Sequence, residues 1–262
     1  MRTTPLCLRL SVIALLACLA GGFPLSATAS GPDSTLSDRR GALTLETGPV
    51  WFSRNDVRIP GDTGTRFDMR ELTGNGPEAF VRLEGTWDFN ARHGIRLLVA
   101  PLEVSGTGDL PGDTDFADAT FAPGPTEGTY KFSTYRLTYR YTFYDNGPWH
   151  WRVGGTVLVR DANVALKQGA LQANDDDLGI VPLLHLYGEY ALGERWRLAL
   201  DFDGLAGGPG RAFDIALKGI YELGSGWRIG AGYRMLEGGS DTDDVYSFAW
   251  LHYAVASLEY RF

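Results

Sequence analysis

The chain has only two cysteines, Cys7 and Cys18, and both fall in its N-terminal stretch. If that stretch is removed, no thiol is left to form a disulfide, hold zinc or act as a nucleophile. Lysine is nearly as scarce, at Lys131, Lys167 and Lys218 only, against 21 arginines. The formal charge is −8 and includes Arg2 and Arg9 near the start, so the rest of the chain is more acidic still. Nucleic-acid binding needs clustered cations to neutralise phosphates, and this composition argues against it. No apolar run after Leu19 approaches the length of a membrane helix, so helical spanning is excluded as the means of insertion.

What the sequence does contain is glycine, 34 residues of it, with 12% aromatics. At the N-terminus, Arg2 and Arg9 precede an apolar run from Ser11 to Leu19, and Ala27-Thr28-Ala29 supplies the small residues of a signal-peptidase site. Residues 1–29 are therefore expected to be a signal peptide and 30–41 a flexible periplasmic tail. The run breaks at Gly21-Gly22, too short for a first transmembrane helix. Leu15-Leu16-Ala17-Cys18 outlines an alternative lipoprotein site with lipidation at Cys18, although the leucine at its second position fits poorly.

Beyond residue 41 the governing pattern is alternation. Trp149, Trp151, Val153, Gly155, Val157 and Val159 share one face of an extended segment, with His150, Arg152, Thr156 and Arg160 on the other. The split recurs at 196–203 and 213–221. Ten strands are predicted, at 42–54, 79–90, 93–105, 129–144, 148–161, 179–192, 195–204, 211–222, 226–237 and 245–262. Long and short connections alternate between them, as in a bacterial outer-membrane barrel with both termini on the periplasmic side. The fold class is thus all-β, a single up-and-down antiparallel transmembrane barrel over 42–262. A soluble lipocalin-like barrel would turn its apolar face inward and leave the alternate arginines unexplained.

The last strand places Ala254, Ala256, Leu258, Tyr260 and Phe262 on one oily face. A terminal Phe262 after such alternation resembles the signal read by the barrel assembly machinery. Trp87, Trp149, Trp151, Tyr190, Trp196, Tyr221, Trp227 and Tyr260 flank the predicted short turns, at the interfacial depth that Trp and Tyr prefer. The chain also resembles uncharacterised proteobacterial (Gram-negative) outer-membrane barrels. That resemblance rests on Thr134–Tyr141, Gly210-Arg211-Ala212-Phe213-Asp214, the segment from Gly232 to Gly239, and the final strand. It implies the barrel fold and an outer-membrane setting among lipid and lipopolysaccharide, and brings no assigned activity.

The inward parity carries Arg82, Arg96, Arg136, Arg140, Arg152, Arg160, Arg197, Lys218, Arg228, Arg234 and Arg261 against Glu46, Glu84, Asp88, Glu189, Asp201, Asp203, Asp214 and Glu259. In a narrow lumen these are expected to neutralise one another through bidentate arginine pairs, which accounts for the arginine bias. The predicted lumen network comprises Arg136, Arg140, Arg160, His185, Glu189, Arg211, Arg234 and Glu237. A plugged barrel of structural or surface-interaction role is the leading reading. A narrow, weakly anion-selective channel is one alternative, suggested by the slight cationic excess.

The other alternative is an outer-rim hydrolase acting on lipid A or peptide. There Asp201, Asp203, Asp214 and His252 are the candidate catalytic residues, since close carboxylates share a proton or activate a water. No Gly-x-Ser-x-Gly elbow accompanies them. Acidic segments at Asp109 to Asp118, Asp175-Asp176-Asp177 and Asp241 to Asp244 offer oxygens to divalent ions, but none follows the calcium-loop pattern. No metal or cofactor is assigned. Pro49, Pro101 and Pro182 each remove a ladder donor and predict bulges or strand ends.

Overall fold

The computed structural model describes residues 40–208 and 210–262. The predicted signal peptide, the site at Cys18 and nearly all of the predicted tail lie outside the described residues. In chain order the elements are β1 (Gly41–Arg58), β2 (Phe67–Asp68), α1 (Arg70–Thr73), β3 (Glu78–Asp88), β4 (His93–Ala100), β5 (Glu103–Leu110), β6 (Thr114–Phe116) and β7 (Ala119–Phe121). The long strands follow: β8 (Gly124–Asn146), β9 (Trp149–Gln168), β10 (Leu171–Ala191), β11 (Trp196–Gly207), β12 (Gly210–Gly224), β13 (Trp227–Asp241) and β14 (Tyr246–Arg261).

Neighbouring strands pair antiparallel in sequence order, and β14 returns to β1 from Ala42↔Arg261 to Arg58↔Tyr246, closing the sheet. Closure leaves no edge in the apolar band, the condition a spanning sheet must meet in lipid. β4 and β5 both pair with β8 and act as one stave, interrupted at Pro101 where the ring removes a ladder donor. The barrel therefore has ten staves. Pro182 does not break its strand: β10 runs through it, paired to Val157. The bulges fall elsewhere, at Phe52/Arg54, Thr142/Tyr144 and Glu222/Gly224.

Side-chain exposure follows the alternation. Leu43, Leu83, Leu97, Leu137, Val157, Leu198, Leu217 and Leu258 stand exposed on the outer wall. The inner girdle consists of ring pairs next to the short turns: Trp87 with Phe262, Trp149 with Tyr190 at 4.4 Å between centroids, Trp196 with Tyr221 at 5.0 Å and Trp227 with Tyr260 at 4.7 Å. Trp51, Tyr135 and Trp250 are exposed at the outer end. From Tyr260 to Trp250 a tilted strand rises about 25 Å, the height of the apolar band in outer-membrane barrels.

The extracellular side is more ordered than alternation alone suggests. β8, β9 and β10 run well past the predicted ends, and β9 and β10 join at a tight turn containing Gly169 (φ 61°). The acidic segment Asp175-Asp176-Asp177, which falls between the predicted strands at 148–161 and 179–192, is part of β10 and pairs with Val164, Asn163 and Ala162. Polar side chains occupy both faces there, so the apolar period ends while the hydrogen-bonded ladder goes on. The long connection after β1 folds back as β2 and α1 over an apolar cluster that includes Phe52, Val57, Phe67, Met69, Leu72, Phe116, Phe121 and Tyr130.

Glycines seat α1 on the wall. A Cβ at Gly108 would lie 1.9 Å from the Glu71 carbonyl oxygen, and one at Gly106 2.5 Å from that of Leu72. Gly108→Ala is therefore expected to lift α1 from the barrel wall. Limited proteolysis should then cut within residues 59–77 faster than in the parent, while heat-modifiable electrophoretic mobility reports an intact barrel.

Candidate functional site

The lower and middle lumen is filled by charged side chains that the alternation turns inward. At its centre Asp203 and Asp214 each take several cations. Asp203 pairs with Arg96 and with Arg136 at 2.8 Å, and Asp214 pairs with Arg234, with Arg136 at 2.8 Å and with Arg82 at 3.1 Å. Asp201 bridges Arg96 at 3.0 Å and Arg234 at 3.2 Å. Glu46 meets Lys218 at 2.5 Å and Arg234 at 3.2 Å. These groups come from β1, β3, β4, β8, β11, β12 and β13, so the lattice crosses the lumen from wall to wall. Asp203, Asp214, Arg96 and Arg234 are each no more than 3% exposed.

Hydroxyls complete the set. Arg96 donates to Thr138 Oγ1 at 3.1 Å, and Thr156 Oγ1 donates to Asp203 at 3.1 Å. Ions this dry are costly to desolvate, and their attraction offsets that cost only when hydrogen bonds satisfy the remaining sites. A guanidinium fork does so better than an ammonium, hence arginine at nearly every inward cation. Nearer the periplasmic end Glu189 binds Arg228 at 2.9 Å and accepts from Tyr187 at 2.8 Å. Asp88 is gripped by both outer nitrogens of Arg152 at 2.8 Å and reached by Arg140 at 3.4 Å. Glu222, which alternation did not single out, joins this layer through Arg197 at 3.3 Å.

Of the candidate catalytic residues the three aspartates come together, and His252 does not join them. Asp201, Asp203 and Asp214 lie within the mid-lumen lattice, saturated by arginines. His252 sits on the outer parity of β14, where its ring nitrogens meet the Tyr233 hydroxyl at 2.5 Å and Ser53 Oγ at 2.8 Å, and its ring stacks on Trp250. The barrel wall separates it from the acids. His185, by contrast, is buried against Asp203, Nδ1 to Oδ1 at 2.8 Å, and its Nε2 has no partner among the described residues. That dyad has the form of an oriented base, but the hydroxyl that reaches it, Thr156 Oγ1, is bonded to the Asp203 carboxylate, and among the described residues no hydroxyl or thiol is hydrogen-bonded to the free imidazole nitrogen.

Arg136, Arg140, His185, Glu189 and Arg234 all point into the lumen and pair there. Arg211 and Glu237 do not: they bind each other at 2.7 Å on the outward parity, with Arg211 lying 4.9 Å over the Phe248 ring. The reason is register. Ala212, Asp214 and Ala216 hold the inward positions of β12, which leaves Arg211 with Phe213 on the other face. Arg160 also stands apart from the mid-lumen lattice, paired with Asp177 near the outer end.

Above the lattice lies a chamber of about 470 Å³. Arg136, Asp203 and Asp214 form its floor, and Leu158, Val181, Leu183, Leu205 and Leu236 line its walls. No alternation argument finds it, because it arises where strands of unequal length meet. Asp175 borders it, and burial together with the charges of Asp177 and Asp176 pushes its carboxyl above the usual carboxylate range. Among the described residues no cluster of His, Cys, Asp and Glu has the arrangement of a metal site.

No protein-family model and no curated protein matches the chain. Among solved structures it is similar to the outer membrane protease OmpT from Escherichia coli, with a TM-score of 0.51 and 11% identity over 90% of this chain and 99% of that one. It is also similar to the outer membrane protein AlkL, at 0.40 and 13% over 90% and 98%. Ail of Yersinia pestis aligns at 0.37 and 10%, over 84% and 99%. Identities this low show the fold alone, that of outer-membrane β-barrels. With the apolar outer wall and its paired aromatic girdles, this places the chain in the outer membrane.

Removing one acid from the dry lattice leaves a buried positive charge without its compensating carboxylate, although Arg96 keeps Asp201 and Arg136 keeps Asp214. Asp203→Asn is therefore expected to destabilise the barrel by about 3–5 kcal/mol. Glu237→Gln, at the exposed rim pair, is expected to cost no more than about 1 kcal/mol. Urea midpoints of the refolded variants, read by loss of heat-modifiable mobility, compare the two.

Proposed function

We propose that the protein is a sealed outer-membrane barrel that works at the cell surface through its extracellular half, and that it neither conducts solutes nor hydrolyses lipid or peptide. The observation that carries this reading is the lattice of Arg82, Arg96, Arg136 and Arg234 with Asp201, Asp203, Asp214 and Glu46. Its members reach across the lumen from opposite staves and are nearly inaccessible to water. An anion path needs cations free to exchange partners with a passing ion. Here each inward arginine of the middle layer is committed to a carboxylate.

The hydrolase reading loses support for the same reason. A base that activates water needs a free lone pair facing that water, whereas each of the three aspartates is already engaged by at least two arginines. His252, the remaining member of the candidate set, is bonded to Tyr233 and Ser53 across the wall. Around the barrel, outer-membrane lipid and lipopolysaccharide are the expected surroundings. Phe262, whose backbone N–H donates to Gly41 at the closing seam, is the expected mark for the assembly machinery.

In planar bilayers the refolded protein is expected to show no stepwise conductance. Lipid A from cells with and without the protein is expected to give the same mass spectrum. Conductance steps that change ion selectivity in Arg136→Ala would overturn the sealed reading in favour of a channel. A change in acyl content that Asp201→Asn abolishes would overturn it in favour of an enzyme.

A further inference from the structure

The ladder between β10 and β11 ends early. Its last rung is Leu184↔Gly204, yet β10 continues from Leu183 to Leu171 paired only with β9, and Leu205 to Gly207 pair only with β12. Above that rung the wall has a gap, and the chamber reaches it. Both the inward Val181 and Leu183 and the outward Ile180 and Pro182 of β10 border the cavity, as do Leu205 and Gly207 of β11. Pro182 stands next to the last rung, where it has no N–H to offer a neighbouring strand.

Depth and polarity identify what the gap faces. Counted from the girdle residue Tyr190, Leu184 rises about 15 Å and Ile180 about 25 Å along a tilted strand, so the gap opens inside the outer half of the apolar band. Its flanks are oily: Ile180 is 73% exposed and Leu184 60%, and the Phe202 and Phe213 rings close over Gly204. A chamber volume of about 470 Å³ is within the range of small-molecule sites. Its floor is already neutralised and asks nothing of a guest. At the side, however, the free edge of β10 needs hydrogen-bonding partners, since unpaired backbone is not tolerated against lipid. Arg160, also on the chamber wall, has an Nε with no hydrogen-bond partner among the described residues.

From this geometry we infer that the chamber takes the hydrocarbon tail of an amphiphile, admitted sideways from the outer leaflet through the gap between β10 and β11. The tail lies against Leu158, Val181, Leu183, Leu205 and Leu236. Acceptor oxygens of its head group meet Arg160 and the open edge of β10. The shared chemistry is a long alkyl chain with an oxygen-rich head, whether a membrane lipid or a free fatty acid supplies it.

The test places a reporter on the side of the chamber away from the gap. Ser247, on β14, faces inward and lines the cavity. In the full chain carrying Cys7→Ser and Cys18→Ser, Ser247→Cys is labelled with bimane and the refolded protein is put into phosphatidylcholine vesicles. Mid-chain brominated phosphatidylcholine is expected to quench most of the emission, and Leu205→Phe, which narrows the chamber without adding an indole quencher, to restore it. Quenching only by dibromostearic acid added from water supports the same chemistry with a free fatty acid as its source. Quenching by aqueous iodide but by neither bromo compound would overturn the inference and leave a water-filled vestibule. Ala212→Cys, also inward and chamber-lining, repeats the measurement if the first variant does not fold. Bilayer conductance of the same preparation reads the seal below the chamber separately, so failure of one reading is not mistaken for failure of the other.

Discussion

Everything in this barrel depends on one electrostatic constraint: a narrow lumen lined by charges has too little water to solvate them, so each must find an opposite partner across the space. The arginines of β3 and β4 meet the aspartates of β11 and β12 because closure of the sheet brings residues more than a hundred positions apart within hydrogen-bond reach. The lattice in turn restricts the register. A one-residue slip of any stave would move its charges into lipid and its leucines into the lattice, and either error costs several kcal/mol. The same pairs that fill the lumen therefore hold the strands in step.

That constraint divides the molecule by height. Below and at mid-depth, polarity is inside and oil outside. In the extracellular half the relation changes: β1, β5, β8 and β9 turn Phe52, Val104, Tyr130 and Leu166 inward onto an apolar cluster capped by α1, β6 and β7. There the surroundings are water and the interior is oily, as in a soluble protein. The chamber lies where the two regimes meet, with ion pairs for a floor and aliphatic side chains for walls. Its lateral gap exists because β10 outgrows β11.

Much of this was legible from residue order. Alternation located ten staves, the short-turn girdle and nearly the whole set of inward charges, because period two is a local property and each strand declares its faces by itself. It failed where both faces are polar, as at Asp175 to Asp177, so the continuation of β9 and β10 went unread. It also assigned Arg211 and Glu237 to the lumen, although the parity of Asp214 puts them outside. The proposed convergence of His252 with Asp201, Asp203 and Asp214 failed for a related reason. Alternation gives a residue's face, and His252 was already on the lipid-facing parity.

By itself, then, the order of amino acids determined the membrane-facing wall, the sign of the interior and the need for arginine, because burial of alternate side chains is decided strand by strand. Only the closed tertiary structure decided which arginine meets which carboxylate, since those partners come from strands distant in the chain. It also decided that ion pairs cross the lumen at mid-depth and that an apolar chamber lies beside β11. Both follow from the relative lengths and stagger of neighbouring staves, a property that belongs to the assembled sheet and to no single strand.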